Sequence, residues 1–181
     1  MNAPIDISSV RLVSDRLALR PWKLSDLEDL YAYARIDGVG QMAGWLPHDT
    51  IETSRVILSN FMADKKTFAI EYQNKIIGSL GIEEYNEDEL PDYNSKQGRE
   101  IGFVLSKDYW GMGLTPEAVK IVIDYLFEVC QLDFIVCEHF IDNLQSKRVQ
   151  EKCGFHHLKL VKNETRYGIV KDSWLSILER S

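Results

Sequence analysis

A pair of glycines between an apolar run and an amphipathic run constrains this chain more than any other feature. Ile101, Phe103, Val104 and Leu105 read as a buried strand, a polar turn carries Gly111 and Gly113, and Pro116-Glu117-Ala118 opens a helical pattern. Glycine accepts positive φ and lets a ligand approach the backbone, while a helix start directs unpaired N–H groups at whatever precedes it. An anion, most often a phosphate, suits such a place. Two familiar phosphate motifs are excluded. No Lys-Ser or Lys-Thr pair follows as a P-loop requires, and Pro116 occupies the place of the third glycine of a dinucleotide fingerprint.

At 181 residues, 45% hydrophobic and 27% charged, the chain has the length of one well-buried domain, expected over 1–181 with 1–9 as a loose N-terminal arm. A net charge of −7 argues against nucleic-acid binding and permits attraction of a cationic substrate. Cys130, Cys137 and Cys153 have no metal-ligand spacing, and an odd number does not make a disulfide framework. No basic-then-apolar leader and no membrane-length apolar run is visible, so a cytoplasmic location without membrane contact is expected.

In chain order, Arg16–Arg20 alternates as a strand ending at Pro21, and Ser25 to Glu28 has capping-box spacing ahead of a helix with Leu27, Leu30, Tyr31 and Ala34 on one face. Asp49 or Thr50 caps a second helix carrying Ile57, Leu58 and Phe61. Thr67–Tyr72 and Lys75–Glu83 form a hairpin across Gln73-Asn74, and the acidic stretch Glu84–Gln97 is a surface loop. Strand Arg99–Leu105, helix Pro116–Cys130, strand Phe134–Phe140, helix Asn143–Lys152 and a closing hairpin complete the order β-α-α-β-β-β-α-β-α-β-β. The expected class is α+β with a mostly antiparallel sheet.

Two motifs make the pattern more specific. Asp108–Ala118 (D-Y-W-G-M-G-L-T-P-E-A), then Asn143–Val149 (N-L-Q-S-K-R-V) with Glu151–Phe155 (E-K-C-G-F), resemble the acetyl-CoA-binding motifs of the GNAT superfamily of N-acetyltransferases. The likeness is to the branch of ribosomal-protein N-terminal acetyltransferases, and the opening L-V-S-D-R-L-A-L-R-P-W and closing K-D-S-W-L-S-I-L resemble that branch as well. The resemblance implies a GNAT-like sheet flanked by helices. It implies acetyl-CoA as cosubstrate, without a metal, and a primary amine as acceptor. A peptide or protein N-terminus comes first among acceptors and a small molecule or polyamine second. It implies that Gly111, Met112, Gly113 and Leu114, with Trp110 and Thr115, cradle the CoA pyrophosphate, and that Val104 and Leu105 pair with the pantetheine arm. Asn143 and Ser146 lie on one face of the short helix, as a cap and first-turn hydroxyl or, by the resemblance, with Ser146 beside the CoA sulfur. A homodimer is compatible with the resemblance.

Where the wider superfamily carries a Tyr to protonate the thiolate, this chain has Gln150, and Asp108 stands where Gln or Arg is usual. A serine hydroxyl is a weak acid beside a thiol of pKa near ~8.5, so Ser146 is assigned hydrogen bonding or proton relay. Reaching the neutral amine costs about 3.5 kcal/mol more for lysine than for an α-amine. Glu100 is the first candidate for the base, with Glu83, Glu84, Glu138 and His139 as alternatives. Each is equally readable as a solvated, paired or structural strand residue. Trp45, Tyr85 and Tyr93 are candidates to line the acceptor cleft, and Glu87, Asp88, Glu89 and Asp92 to attract a cation or simply to be solvated. The missing Tyr also fits a rival from another class, a non-catalytic CoA-binding regulatory module.

Overall fold

Eight extended segments, several of them buried on both faces as in the runs at Leu17–Pro21 and Thr67–Tyr72, build one continuous sheet, and the helical runs supply its two covers. The computed structural model describes residues 1–181. Strands β1 (Leu12–Val13) and β2 (Leu17–Pro21) precede helices α1 (Leu27–Ala34) and α2 (Ile51–Asp64). Then come β3 (Thr67–Tyr72), β4 (Lys75–Glu83), β5 (Gly98–Leu105) and α3 (Leu114–Asp124). Strand β6 (Phe134–Phe140), α4 (Leu144–Lys152), β7 (His156–Glu164) and β8 (Val170–Glu179) finish the chain. The sheet order is β1-β2-β3-β4-β5-β6-β8-β7, and β5–β6 is its one parallel neighbour pair. This is the expected mostly antiparallel α+β architecture, with β1 added ahead of the expected strands.

Val119 and Val122 of α3, with Leu126 of the turn that continues it, close over Leu19, Phe68, Leu80 and Ile101 to form the main core. Leu27, Leu30 and Tyr33 of α1 and Leu58 of α2 cover the opposite face at Ala69 and Ile76. At about 25 cal/mol per Å² of apolar surface removed from water, these two faces dominate the driving force. The β3–β4 turn follows its sequence signal, because Gln73 and Asn74 both take positive φ (49° and 62°), as a two-residue hairpin with native twist requires.

Several local expectations are corrected. The first helix is led in by a 3₁₀ turn at Leu24–Asp26, and the Lys23 N–H donates to the Asp26 carboxylate at 2.8 Å. Asp26 is buried against Arg20, which grips it through two 2.9 Å bonds and also meets Glu71 at 2.7 Å. A buried charge needs such a partner, and that need sets this helix start in place of the Ser25 cap. Helix α3 begins two residues early, with Gly113 as its cap, and its last expected turn, Tyr125–Val129, is π-helical. The closing hairpin is as expected, with Thr165 to Gly168 as its turn.

The N-terminal nine residues are strapped down. Ala3 and Ile7 are buried, Asn2 bridges to Gly98, and the Arg99 Nε donates to the Ala3 carbonyl at 2.6 Å. Asn2 also binds Tyr85 and Glu87, so strap and acidic loop hold each other. Ile7→Ala should therefore destabilise the fold by about 2–4 kcal/mol in urea unfolding, the range for truncating a core aliphatic; an arm without packing would lose a small fraction of that.

Candidate functional site

The site begins where a strand pair ends. Strands β5 and β6 pair for three residues, Gly98 to Glu100 against Phe134 to Val136, and then part. Beyond that, Ile101–Leu105 pairs with β4 and Cys137–Phe140 with β8. The parting opens a cavity of about 410 Å³ lined by both strands, the glycine turn and α4. The Ser106 N–H bonds to the Ile77 carbonyl at 2.7 Å, and alternation along an antiparallel pair then turns the Phe103 and Leu105 N–H groups toward the gap. Val104 presents its backbone to β4, so of the two expected strand-end residues Leu105, with Phe103, offers donors to the opening. The Leu105 carbonyl is taken by the Trp110 indole N–H at 2.9 Å, which folds the chain back at the mouth.

Gly111 and Gly113 both take positive φ (77° and 74°). A Cβ on Gly111 would meet nothing within 4 Å, so that side of the turn is open to a ligand. Gly113 caps α3 without a side-chain hydrogen bond, and Pro116 has no N–H, which leaves the Leu114 and Thr115 N–H groups for an anion. The donor set fits a diphosphate: a helix start, two glycines and an adjoining strand edge. Trp110, Gly111, Gly113, Leu114 and Thr115 line the cavity, whereas Met112 is exposed beside it. The Met112 carbonyl accepts from Arg16 Nη1 at 2.9 Å, and Arg16 is itself clasped by Glu117 of α3.

On the far wall, Asn143 caps α4 by accepting the Ser146 N–H at 3.1 Å and donates to the Met42 carbonyl at 3.2 Å. Its amide is thus spent on shaping the wall, although it lines the cavity. Ser146 faces the opening and accepts from Gln150 Nε2 at 3.4 Å. Buried Gln150 also donates to the Glu138 carbonyl and Cys137 sulfur, both at 3.1 Å, and accepts at 3.0 Å from His139 Nδ1, which must carry the proton there. His139 is a buried wall residue held neutral by desolvation, which lowers its pKa. Its neighbour His157 stacks on Trp174. The Gln150 hub is legible only once α4 is set against β6.

The opposite face of the sheet carries Glu100 and Glu138. Glu100 has no hydrogen bond or ion pair to a side chain; burial first, then the carboxylates of Glu138, Glu83 and Glu89, push its pKa up to about 8. Glu138 is raised too, by burial, although Asn163 Nδ2 donates to its Oε2 at 2.7 Å. The alternative bases are otherwise engaged: Glu83 pairs with Lys66 at 2.6 Å, and exposed Glu84 lies 3.7 Å from Arg99. Tyr85 and Tyr93 pack on Phe134, and Trp45 packs against His48, so the three aromatics lie outside the cavity wall. In the acidic loop, Glu87 binds Asn2 and Glu89 meets Lys159. Val39, Met42 and Ala43 roof the cavity instead, and nothing in their sequence pattern marked them.

A family model described as an acetyltransferase (GNAT) domain matches residues 16–156. FsC-acetyl coenzyme A-N(2)-transacetylase of Aspergillus fumigatus is 29% identical over 94 residues, which is 45% of this chain and 40% of that one. The protein described as uncharacterized N-acetyltransferase p20 of Bacillus licheniformis is 25% identical over 179 residues, covering 93% and 96% of the two chains. Among solved structures, ribosomal-protein-S5-alanine acetyltransferase from Vibrio fischeri superposes with a TM-score of 0.72 at 21% identity, over 94% of this chain and 97% of that one. At that identity the likeness is one of fold.

A carboxyl whose folded-state pKa is raised binds its proton more tightly folded than unfolded. Its contribution is therefore full below the unfolded value and is lost as pH rises through the folded one. For Glu100 that window runs from the ordinary carboxyl value of 4.5 to about 8. Glu100→Gln removes the titration, so the Tm of the variant relative to the parent should climb by several degrees between about pH 5 and about pH 9. A constant difference across that range would mean that Glu100 is ordinarily solvated.

Proposed function

This chain belongs to the acetyltransferase (GNAT) family and is an acetyl-CoA-dependent N-acetyltransferase, and from that premise we propose that its acceptor is the α-amine of a peptide or protein N-terminus. The observation that carries the proposal is Glu100, a carboxylate at the parting of β5 and β6 whose pKa stands at about 8. A base of that strength is matched to an α-amine near ~7.8, whereas lysine near ~10.4 would give up its proton about 3 kcal/mol uphill. In this proposal residues 1–181 act as one transferase domain, in a reducing cytoplasm that suits its three free thiols. No helix is long and apolar enough to cross a membrane.

Acetyl-CoA supplies the acetyl group as a thioester, and each wall of the cavity has a distinct part. Gly111, Gly113, Leu114 and Thr115 offer backbone donors to the diphosphate, contacts that need no side-chain charge. The Phe103 and Leu105 N–H groups supply an oxyanion donor where the acyl carbonyl gains charge. Glu100 takes a proton from the incoming ammonium. Because Gln150 donates to Ser146 Oγ, the serine proton is free to point away from Gln150 and hydrogen-bond the departing sulfur.

Thiol release from acetyl-CoA against an amine panel tests the acceptor: an alanyl peptide should outpace an N-blocked lysine and spermidine. Preference for spermidine would favour a polyamine acceptor, which the unpaired acidic face also suits. CoA binding without amine-dependent release would favour the regulatory module.

Ser146→Ala should lower kcat by ~10-fold or more while the KM for acetyl-CoA stays within about twofold, the signature of an interaction made mainly in the transition state. Equal losses in both, or none, would remove its assigned role.

A further inference from the structure

Ser173 is fully buried in β8, its hydroxyl has no hydrogen-bond partner, and it lines the cavity. Of the other residue holding an unpartnered buried polar atom along that wall, His139, the ring is tied to Gln150 under α4. Ser173 belongs to the opposite face, with Glu100, Glu138 and Asn163. Strand register fixes their order: Glu100 pairs with Val136, Glu138 lies two residues farther along β6, and Ser173 pairs with Phe140, two residues farther again. At about 3.3 Å per residue, the three groups are spread over roughly 13 Å along β6, the reach of a few extended residues. One oxygen of Glu138 accepts from Asn163, and no cation pairs with either carboxylate.

We propose that this face is a recognition track for the backbone of the acceptor: the free oxygen of Glu138 takes an N–H of the terminal ammonium, and the Ser173 hydroxyl donates to a carbonyl of the first residues. The inference rests on the acetyl-transfer reading and narrows it, since a carbonyl that follows the amine distinguishes a peptide from a polyamine. Asn163 is a positioning residue that holds Glu138 toward the amine. A buried hydroxyl without a partner costs stability, so its presence on the cavity wall is accounted for by a ligand that satisfies it. Val39, Met42 and Ala43 of the roof leave apolar space for a small first side chain.

Ser173→Ala separates binding from folding, because removing an unsatisfied hydroxyl should leave Tm equal or higher. Its kcat/KM should fall ~5- to 20-fold for an alanyl tetrapeptide and less than about twofold for sec-butylamine, which has no carbonyl, with the KM for acetyl-CoA unchanged. Ser173→Thr, which keeps the hydroxyl, should restore part of the loss. Asn163→Ala should raise the KM of both amines with little change in kcat. Equal loss for the two amines, no loss, or a lowered Tm in Ser173→Ala would overturn the track while acetyl transfer stands. If no amine releases thiol, the transferase reading itself fails, and calorimetry of the tetrapeptide with the CoA-loaded protein decides the track: binding that is weaker in Ser173→Ala supports it, and equal or absent binding sinks it.

Discussion

The site depends on a broken hydrogen-bond ladder. Parallel pairing between β5 and β6 lasts three residues, and from Ile101 onward one edge of β5 has no strand beside it. Buried backbone groups must find partners, so such a gap inside a sheet is stable only where something else supplies them. Part of the supply is internal, as in the Trp110 N–H on the Leu105 carbonyl. The rest is left to an extended ligand, which can complete the ladder much as an added strand would. The strands on both sides, β4 and β8, hold β5 and β6 in antiparallel registers and keep the gap from closing. The same parting places the glycine turn at one end of the opening and α4 across it.

Charge is handled differently on the two sides of the molecule. Around α1, Arg20 bridges the carboxylates of Asp26 and Glu71 in one cluster. Within the cavity, Glu100 and Glu138 have no such cation, and the Glu138 carboxylate adds to burial in raising the proton affinity of Glu100. A group left in that state destabilises the fold above its pKa. Its placement at the strand parting therefore favours function over stability, as perturbed carboxyls in clefts commonly do. An ammonium entering the cavity supplies the missing cation.

The elements with strong local signals were legible in the sequence. The Gln73-Asn74 hairpin, the Thr50 cap, which accepts from Thr53 N–H at 3.4 Å, and the glycine turn depend on residues close together in the chain. What escaped needed long-range partners. The expected Ser25 cap gave way to Asp26 because Arg20, itself held by Glu71 of β3, grips the Asp26 carboxylate, and the N-terminal arm is ordered by Arg99 and Gly98, each 96 residues from its partner in the arm. In the site, the glycines and Glu100 could be picked from their strand-turn-helix context. Gln150, Asn163 and Ser173 could not, because their meaning comes from facing a cavity that exists only after β6, β7 and β8 pair.

The Gln150 hub shows how the cavity wall beneath α4 is held in place where the chain has no tyrosine at that position. An amide has a fixed polarity: its nitrogen donates to Ser146, Cys137 and the Glu138 carbonyl, so its oxygen must accept, and His139 must present an N–H there. That chain of constraints sets the proton on His139 Nδ1 and fixes α4 to β6. A glutamine cannot exchange its amide proton with a leaving thiolate on the time scale of turnover, so it orients and does not relay. In the proposed reaction, any proton delivered to the sulfur on this side would come through the Ser146 hydroxyl or from water, and the Gln150 N–H on Ser146 Oγ leaves that hydroxyl to donate toward the opening.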